Sequence, residues 1–199
     1  MRSTRSFLVH SAVVACGALA LPGCSAKYAV VPPRVDLAPH GPVALAGFTT
    51  DRPDDNGAAA AATARFAERV LESQHVELLE LGATADTAFR TRADSAGAPA
   101  VFVGHLKFSR VTPRGSLGGG GLNVRGEVTA ELSVRLVNVR TGGTLWRSSS
   151  SASGAVGRVA IGGGLPSVAV RDRDAAYGEL VATLVGQVTR DLRATRVRQ

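Results

Sequence analysis

The chain has 199 residues, 45% of them hydrophobic, and 23 Lys and Arg against 16 Asp and Glu give it a net charge of +7. That length suits one domain with a real core plus a tether. Cys16 lies in a segment expected to be removed, so Cys24 stands alone in the processed chain and no internal disulfide can brace it. A basic balance first suggests nucleic acid, whose phosphates attract Lys and Arg, but the export signal described next and the scatter of the positive residues exclude that partner. The one dense set, Arg190, Arg193, Arg196 and Arg198, lies at the end of the last predicted helix, where cations complement the negative helix terminus.

The chain opens with Arg2 and Arg5 and an apolar run from Phe7 to Leu21, too short for a membrane span of about 20 residues but suited to the core of a secretory signal. Leu21-Pro22-Gly23-Cys24 follows. A small residue directly before Cys resembles the lipobox of bacterial lipoproteins, in which the Cys is acylated and becomes the new N-terminus; Pro22 departs from that pattern. The resemblance implies cleavage after Gly23 and lipidation of Cys24. Ser25, where inner-membrane retention is associated with Asp, implies the outer membrane. Residues 1–23 are thus expected as signal peptide and 24–42 as acylated Cys with a Pro-rich tether (Pro32, Pro33, Pro39, Pro42). Residues 43–195 are expected as a periplasmic domain.

Val43 to Phe48 is a short apolar run closed by turn residues, as a buried strand would be. From Ala58 to about Ser73, Ala-rich sequence sets Ala59, Ala62, Phe66 and Val70 at helical spacing. Val76 to Leu81 predicts a second strand and Ala85 to Arg92 a weaker helix. Over Ala100 to Arg110 alternation places Phe102, Leu106 and Phe108 on one face, with Val101, Val103, His105 and Lys107 on the other. The clearest period of two runs from Val124 to Leu136, with Val128, Leu132, Val134 and Leu136 opposed to Arg125, Glu127, Glu131 and Arg135. Gly142-Gly143 then turns the chain into Thr144 to Ser153, carrying Trp146, which predicts a long hairpin. Tyr177, Leu180, Val181, Leu184, Val185, Val188 and Leu192 mark an amphipathic last helix that Asp172 or Asp174 could cap. The fold class expected is α/β: a single domain with a mixed, mostly antiparallel sheet, a long hairpin, and helices packed on one face.

No cluster announces chemistry. His10, His40, His75 and His105 sit at no metal-ligand spacing, and no Ser lies in a Gly-x-Ser-x-Gly elbow; Ser148 to Ser151 and Ser153 read as a polar strand end or turn. Asp51, Asp54 and Asp55 lack the spacing of a calcium loop and read as solvated. Gly118 to Gly121 and Gly162 to Gly164 lack the Lys-Ser/Thr and helix start of a phosphate cradle. They read as connections within two loops, Thr112–Asn123 and Gly157–Arg171, placed at one end of the domain by the hairpin. Leu117 and Leu122 in one, and Ile161 and Leu165 in the other, are the candidate partner-contact residues. No catalytic, cofactor-binding or metal residue is assigned, and the chain is expected not to be an enzyme.

The first strand and helix, the segment Leu132 to Trp146 with its Thr141-Gly142-Gly143 turn, and Ala176-Tyr177 to Arg193 resemble the periplasmic α/β domain of a lipoprotein grouping. That grouping holds the curli-secretion lipoprotein CsgG and the penicillin-binding-protein activator LpoB. The resemblance implies an envelope protein as partner, the membrane met through the lipid anchor, and no cofactor, and it leaves an oligomer open. The chain is too short for the domain plus two long membrane-crossing hairpins, so a pore is not expected. The function expected is a non-catalytic protein-binding module in envelope assembly, cell-wall synthase regulation or secretion. The alternative is an accessory lipoprotein for lipid or polysaccharide transport, which would prefer an apolar groove with a basic rim.

Overall fold

The computed structural model describes residues 28–82, 88–118, 121–162, 165–170 and 172–198. In chain order, β1 (Tyr28–Val31) leads through a 3-10 turn to β2 (Val43–Ala46), β3 (Thr49–Thr50) and α1 (Asn56–Ser73). Next come β4 (Leu78–Gly82), α2 (Phe89–Ser95), β5 (Ala100–Phe108) and β6 (Thr112–Gly118). Two long strands, β7 (Gly121–Asn138) and β8 (Thr144–Gly162), precede β9 (Leu165–Val170), α3 (Arg173–Val188) and β10 (Thr195–Arg198).

The main sheet runs β4-β2-β5-β7-β8-β9, with β3 beside β5 and β6 beside β7. β2 is parallel to β4 and β5, and the β5/β7, β7/β8 and β8/β9 pairs are antiparallel. This is the expected α/β single domain with a mixed sheet and three helices; the sheet does not close into a barrel.

Alternation along β5 and β7 builds the core. Phe102, Leu106, Phe108, Val128, Ala130, Leu132, Val134 and Leu136 are buried beneath Phe66 and Val70 of α1 and Leu180, Val181, Leu184 and Val185 of α3. A chain of aromatic rings crosses it: Phe48 to Phe66 at 5.4 Å, Phe66 to Phe102 at 5.1 Å and Phe102 to Trp146 at 6.0 Å between centroids. Edge-on and tilted contacts of this kind match the quadrupoles of the rings. Helices on one face thus describes α1 and α3. The short α2 adds a second cluster on the opposite face, where Ala93 meets Ala44, Ala46, Val101, Val137 and Val139, and Arg90 pins it by donating to the carbonyls of Val139 and Arg140.

Two expectations need correction. From Tyr28 onward the tether expected over 24–42 is part of the domain: β1 pairs antiparallel with β10, and Leu37 is fully buried. The buried Gln74 at the end of α1 holds this segment down. Its Oε1 accepts from Leu37 N–H at 3.1 Å, and its Nε2 donates to the carbonyls of Val35 at 3.1 Å and Leu192 at 2.5 Å. Prolines and polar residues hid an attachment made through backbone groups. Cys24 and the signal segment lie outside the described residues.

The segments expected as loops, Thr112–Asn123 and Gly157–Arg171, are largely strand. β6 continues the line of β5 along β7, from Thr112 opposite Glu127 to Gly118 opposite Gly121, and β9 pairs with β8 from Gly157 opposite Val170 to Gly162 opposite Leu165. Glycine favours turns in isolation, but a two-sided ladder supplies the hydrogen bonds that keep it extended. Four strands therefore run on together as a ribbon. α1 returns antiparallel to β2 and β5, so Gln74, β1 and β10 stand at one pole, and the ribbon end is at the other. β7 spans its 18 residues over roughly 60 Å at about 3.4 Å per residue.

Replacing Leu184 with Asp puts an unpaired charge under α3 and should cost more than about 4 kcal/mol; urea titration of the full chain should show the transition lost or moved to very low denaturant. Gln74→Ala leaves one N–H and two carbonyls without their partner and should cost about 3 kcal/mol, read as a lower urea midpoint with little change in slope.

Candidate functional site

Of the four proposed contact residues the structure describes the backbone register. Leu117 is opposite Leu122, and Leu122 is opposite Ile161, so three of them form one row across β6, β7 and β8. Leu165 is opposite Gly162, one row further out. Its neighbour Pro166, opposite Ile161, completes the row of three. Three rows nearer the body, Arg114, Arg125 and Arg158 fall opposite one another. The described Arg114 pairs with Glu127 at 3.1 Å, and Arg125 is exposed.

A second site lies on the sheet face away from α1 and α3, beyond the part that α2 covers. There a cavity of about 310 Å³ is lined by Ala46, Gly47, Thr49, Phe89, Val103, Gly104, His105, Ser133 and Arg135. It lies where the chain leaves β2 after Ala46, crosses at Gly47-Phe48 to the core side and re-enters the sheet as β3, so that Ala46, Gly47 and Phe48 run past Val103 and Gly104 with none of them paired to β5. Gly104 makes the crossing possible: a Cβ there would stand 2.5 Å from the Phe48 ring. Phe48 N–H donates to Thr63 Oγ1 of α1 at 2.9 Å, which fixes the far side of the crossing.

Beside the cavity, Thr49 Oγ1 is 3.0 Å from His105 Nδ1, and His105 Nε2 is 3.0 Å from Asp51 Oδ1. Hydroxyl, imidazole and carboxylate in that order resemble an acyl-transfer relay. Thr49 and His105 are, however, directly opposed in the β3/β5 ladder, and Thr49 Oγ1 also lies 3.4 Å from the Gly104 carbonyl. The array fastens the two residues of β3 to β5, and it assigns no nucleophile. Across the same face Arg135 of β7 is directly opposite Arg147 of β8, with Ser133 opposite Ser149 one step along. Both arginines are exposed.

The remaining residues singled out by sequence divide by burial. Asp55 is only 1% exposed, not solvated as expected; it receives Arg52 at 2.7 Å and Arg173 at 3.2 Å and so ties the start of α1 to the start of α3. A buried carboxylate requires such partners. Asp51 pairs with His105 and, at 3.9 Å, with Lys107. Arg193 donates to the Gly186 carbonyl near the end of α3 at 2.7 Å, the helix-end role expected of that cluster. Asp172 caps α3 by accepting from Asp174 N–H at 3.0 Å. The serines lie within β8, not at its end, where Ser150 donates to Gln187 of α3 and Ser153 pairs with Thr129 at 2.8 Å. Among the described residues no three His, Cys, Asp or Glu side chains come together as a metal site, and no helix is long and apolar enough to cross a membrane.

No protein-family model matches the chain, and no curated protein matches it. Several solved structures are similar to it. The PelC dodecamer from Paraburkholderia phytofirmans is 16% identical, over 84% of this chain and 98% of that one, with a TM-score of 0.48. A lipoprotein from Neisseria meningitidis is 15% identical, over 75% of this chain and 98% of that one, at 0.39. The C-terminal domain of LpoB from Salmonella enterica is 14% identical, over 61% of this chain and 84% of that one, at 0.35. At such identities no residue role is carried over.

Gly104→Ala forces Phe48 out of its place against β5 and should cost about 1–3 kcal/mol, the usual penalty for overpacking. Thermal unfolding of the variant should show the loss, while Gly57→Ala, where a Cβ meets nothing within 4 Å, should not.

Proposed function

We propose that the chain is an outer-membrane-anchored, periplasm-facing lipoprotein, acylated at Cys24 after cleavage at Gly23. Its domain is a non-catalytic module that holds an envelope protein during envelope assembly, cell-wall synthase regulation or secretion. The end of the four-stranded ribbon is the contact. The observation that carries this reading is the ribbon itself, whose last six rows, Gly157 to Gly162 with their partners, extend roughly 17 Å at strand spacing. β6 and β9 are flanked there by β7 and β8 and leave an outer edge each. Leu117, Leu122 and Ile161 share one row of that extension.

The position of the N-terminal segment supports the same reading. Tyr28 is paired at the pole opposite the ribbon end, and three residues, Ser25, Ala26 and Lys27, separate it from Cys24, a reach of at most about 14 Å over the four Cα steps. An acyl anchor at Cys24 therefore holds the body against the membrane and points the ribbon away from it, toward a partner deeper in the compartment. Stable anchoring of this kind takes more than one acyl chain.

Two measurements test the reading. Metabolic labelling with a fatty acid should mark the wild type and leave Cys24→Ala unmarked; equal labelling of both, or of neither, overturns the anchor. Crosslinking in intact envelopes should capture a protein through the ribbon end. Leu117→Ser combined with Ile161→Ser should weaken that capture several-fold and move the melting temperature by no more than about 2 °C. Unchanged capture by a normally folded double variant removes the row as the contact.

A further inference from the structure

Arg135 and Arg147 face each other directly across β7 and β8. Side chains so opposed start from Cβ atoms about 5 Å apart, and like charges in that arrangement are destabilising. Neither guanidinium has an ion pair or hydrogen bond among the described residues. Elsewhere the described positive groups near acids are used: Arg52 and Arg173 on Asp55, Arg114 on Glu127, Lys107 and His105 on Asp51. On this face Asp51 is already engaged by His105 and Lys107, and Glu131 lies two face positions along β7 from Arg135.

Arg135 also lines the 310 Å³ cavity, together with the apolar residues Ala46, Val103 and Phe89 and the hydroxyl residues Ser133 and Thr49. A guanidinium fork binds carboxylate or phosphate through two parallel hydrogen bonds. A cavity of this volume is at the lower end of those that hold small ligands. Its lining combines one aromatic residue, Phe89, with the hydroxyl residues Thr49 and Ser133, so it suits a small polyhydroxylated body better than a hydrocarbon chain.

We propose that the open sheet face holds an acidic sugar. Its oxyanion lies between Arg135 and Arg147, and its ring enters the cavity over Phe89 beside Ser133. The oxyanion is a carboxylate, as in a uronic acid, or a phosphate, as in a sugar phosphate. The site is separate from the ribbon end and does not depend on what the ribbon binds.

The test is a thermal-shift and calorimetric titration of the full chain at low ionic strength with four probes: glucuronate, glucose 6-phosphate, glucose and inorganic phosphate. One or both acidic sugars should raise the melting temperature and bind saturably, and which of the two binds identifies the oxyanion. Arg135→Gln and Arg147→Gln should each weaken that binding about tenfold or more, as loss of a charge-assisted contact does. Their ligand-free melting temperatures should equal or exceed that of the wild type, because each relieves the opposed charges. Ser133→Leu, which fills the cavity and keeps both arginines, should also abolish binding. The proposal is overturned if neither acidic sugar binds, if glucose binds equally well, or if inorganic phosphate alone reproduces the effect. A response of the arginine or Ser133 variants equal to that of the wild type overturns it as well.

Discussion

The register of β7 is the constraint on which the rest of the molecule depends. Over its length this strand pairs with β8 on one side, and with β5 and then β6 on the other. Its even-numbered residues from Val128 to Leu136 are fully buried, and its odd-numbered residues face the open side. A slip of one residue would exchange the two sets, moving five apolar side chains into water and Glu131 and Arg135 under the helices. Because α1 and α3 bury their stripes only against that one face, their placement follows from this register.

Polar groups then fix what the apolar face leaves free. Hydrophobic burial is non-directional, so it says that α1 and α3 cover the sheet and not how their ends meet. Asp55 supplies one answer by gathering Arg52 and Arg173 where both helices begin, and Gln74 supplies the other by joining α1, the segment before β2, and the chain after α3 where both helices finish. Close approach does the remaining work: a Cβ on Gly154 would stand 3.2 Å from Leu180, so α3 lies tight on β8, and Tyr177 stacks on Phe108 at 4.2 Å with Arg173 above it.

Strong periodicity made the body of this fold legible. The stripe Tyr177 to Leu192 and the alternations over 100–108 and 124–136 were readable because burial on one face imposes a period on the residues themselves. The placement of 112–123 and 157–171 at one end followed from a single hairpin turn. Their strand character did not, since Gly115, Gly118, Gly121, Gly126, Gly157 and Gly162 blank out the period of two that Leu117, Leu122, Val124 and Ile161 would otherwise display. β1 and β10 were hidden for a different reason, being held by backbone pairing and one Gln that carries no pattern. The cavity was also out of reach: it arises from a strand that leaves the sheet for two residues, and it joins Thr49, His105 and Arg135 from three distant segments. A signal was present in Gly104, an unexplained glycine inside an alternating strand, which marks a close approach.

Each outer strand of the ribbon contains a proline, Pro113 in β6 and Pro166 in β9. Proline is tolerated in a strand at an edge, where the N–H it lacks would have pointed outward. A long exposed edge is otherwise a template on which further chains add and fibres grow. With both borders interrupted in this way, two copies of the chain brought side by side do not zip their ribbons into one continuous sheet, and each ribbon stays a separate finger.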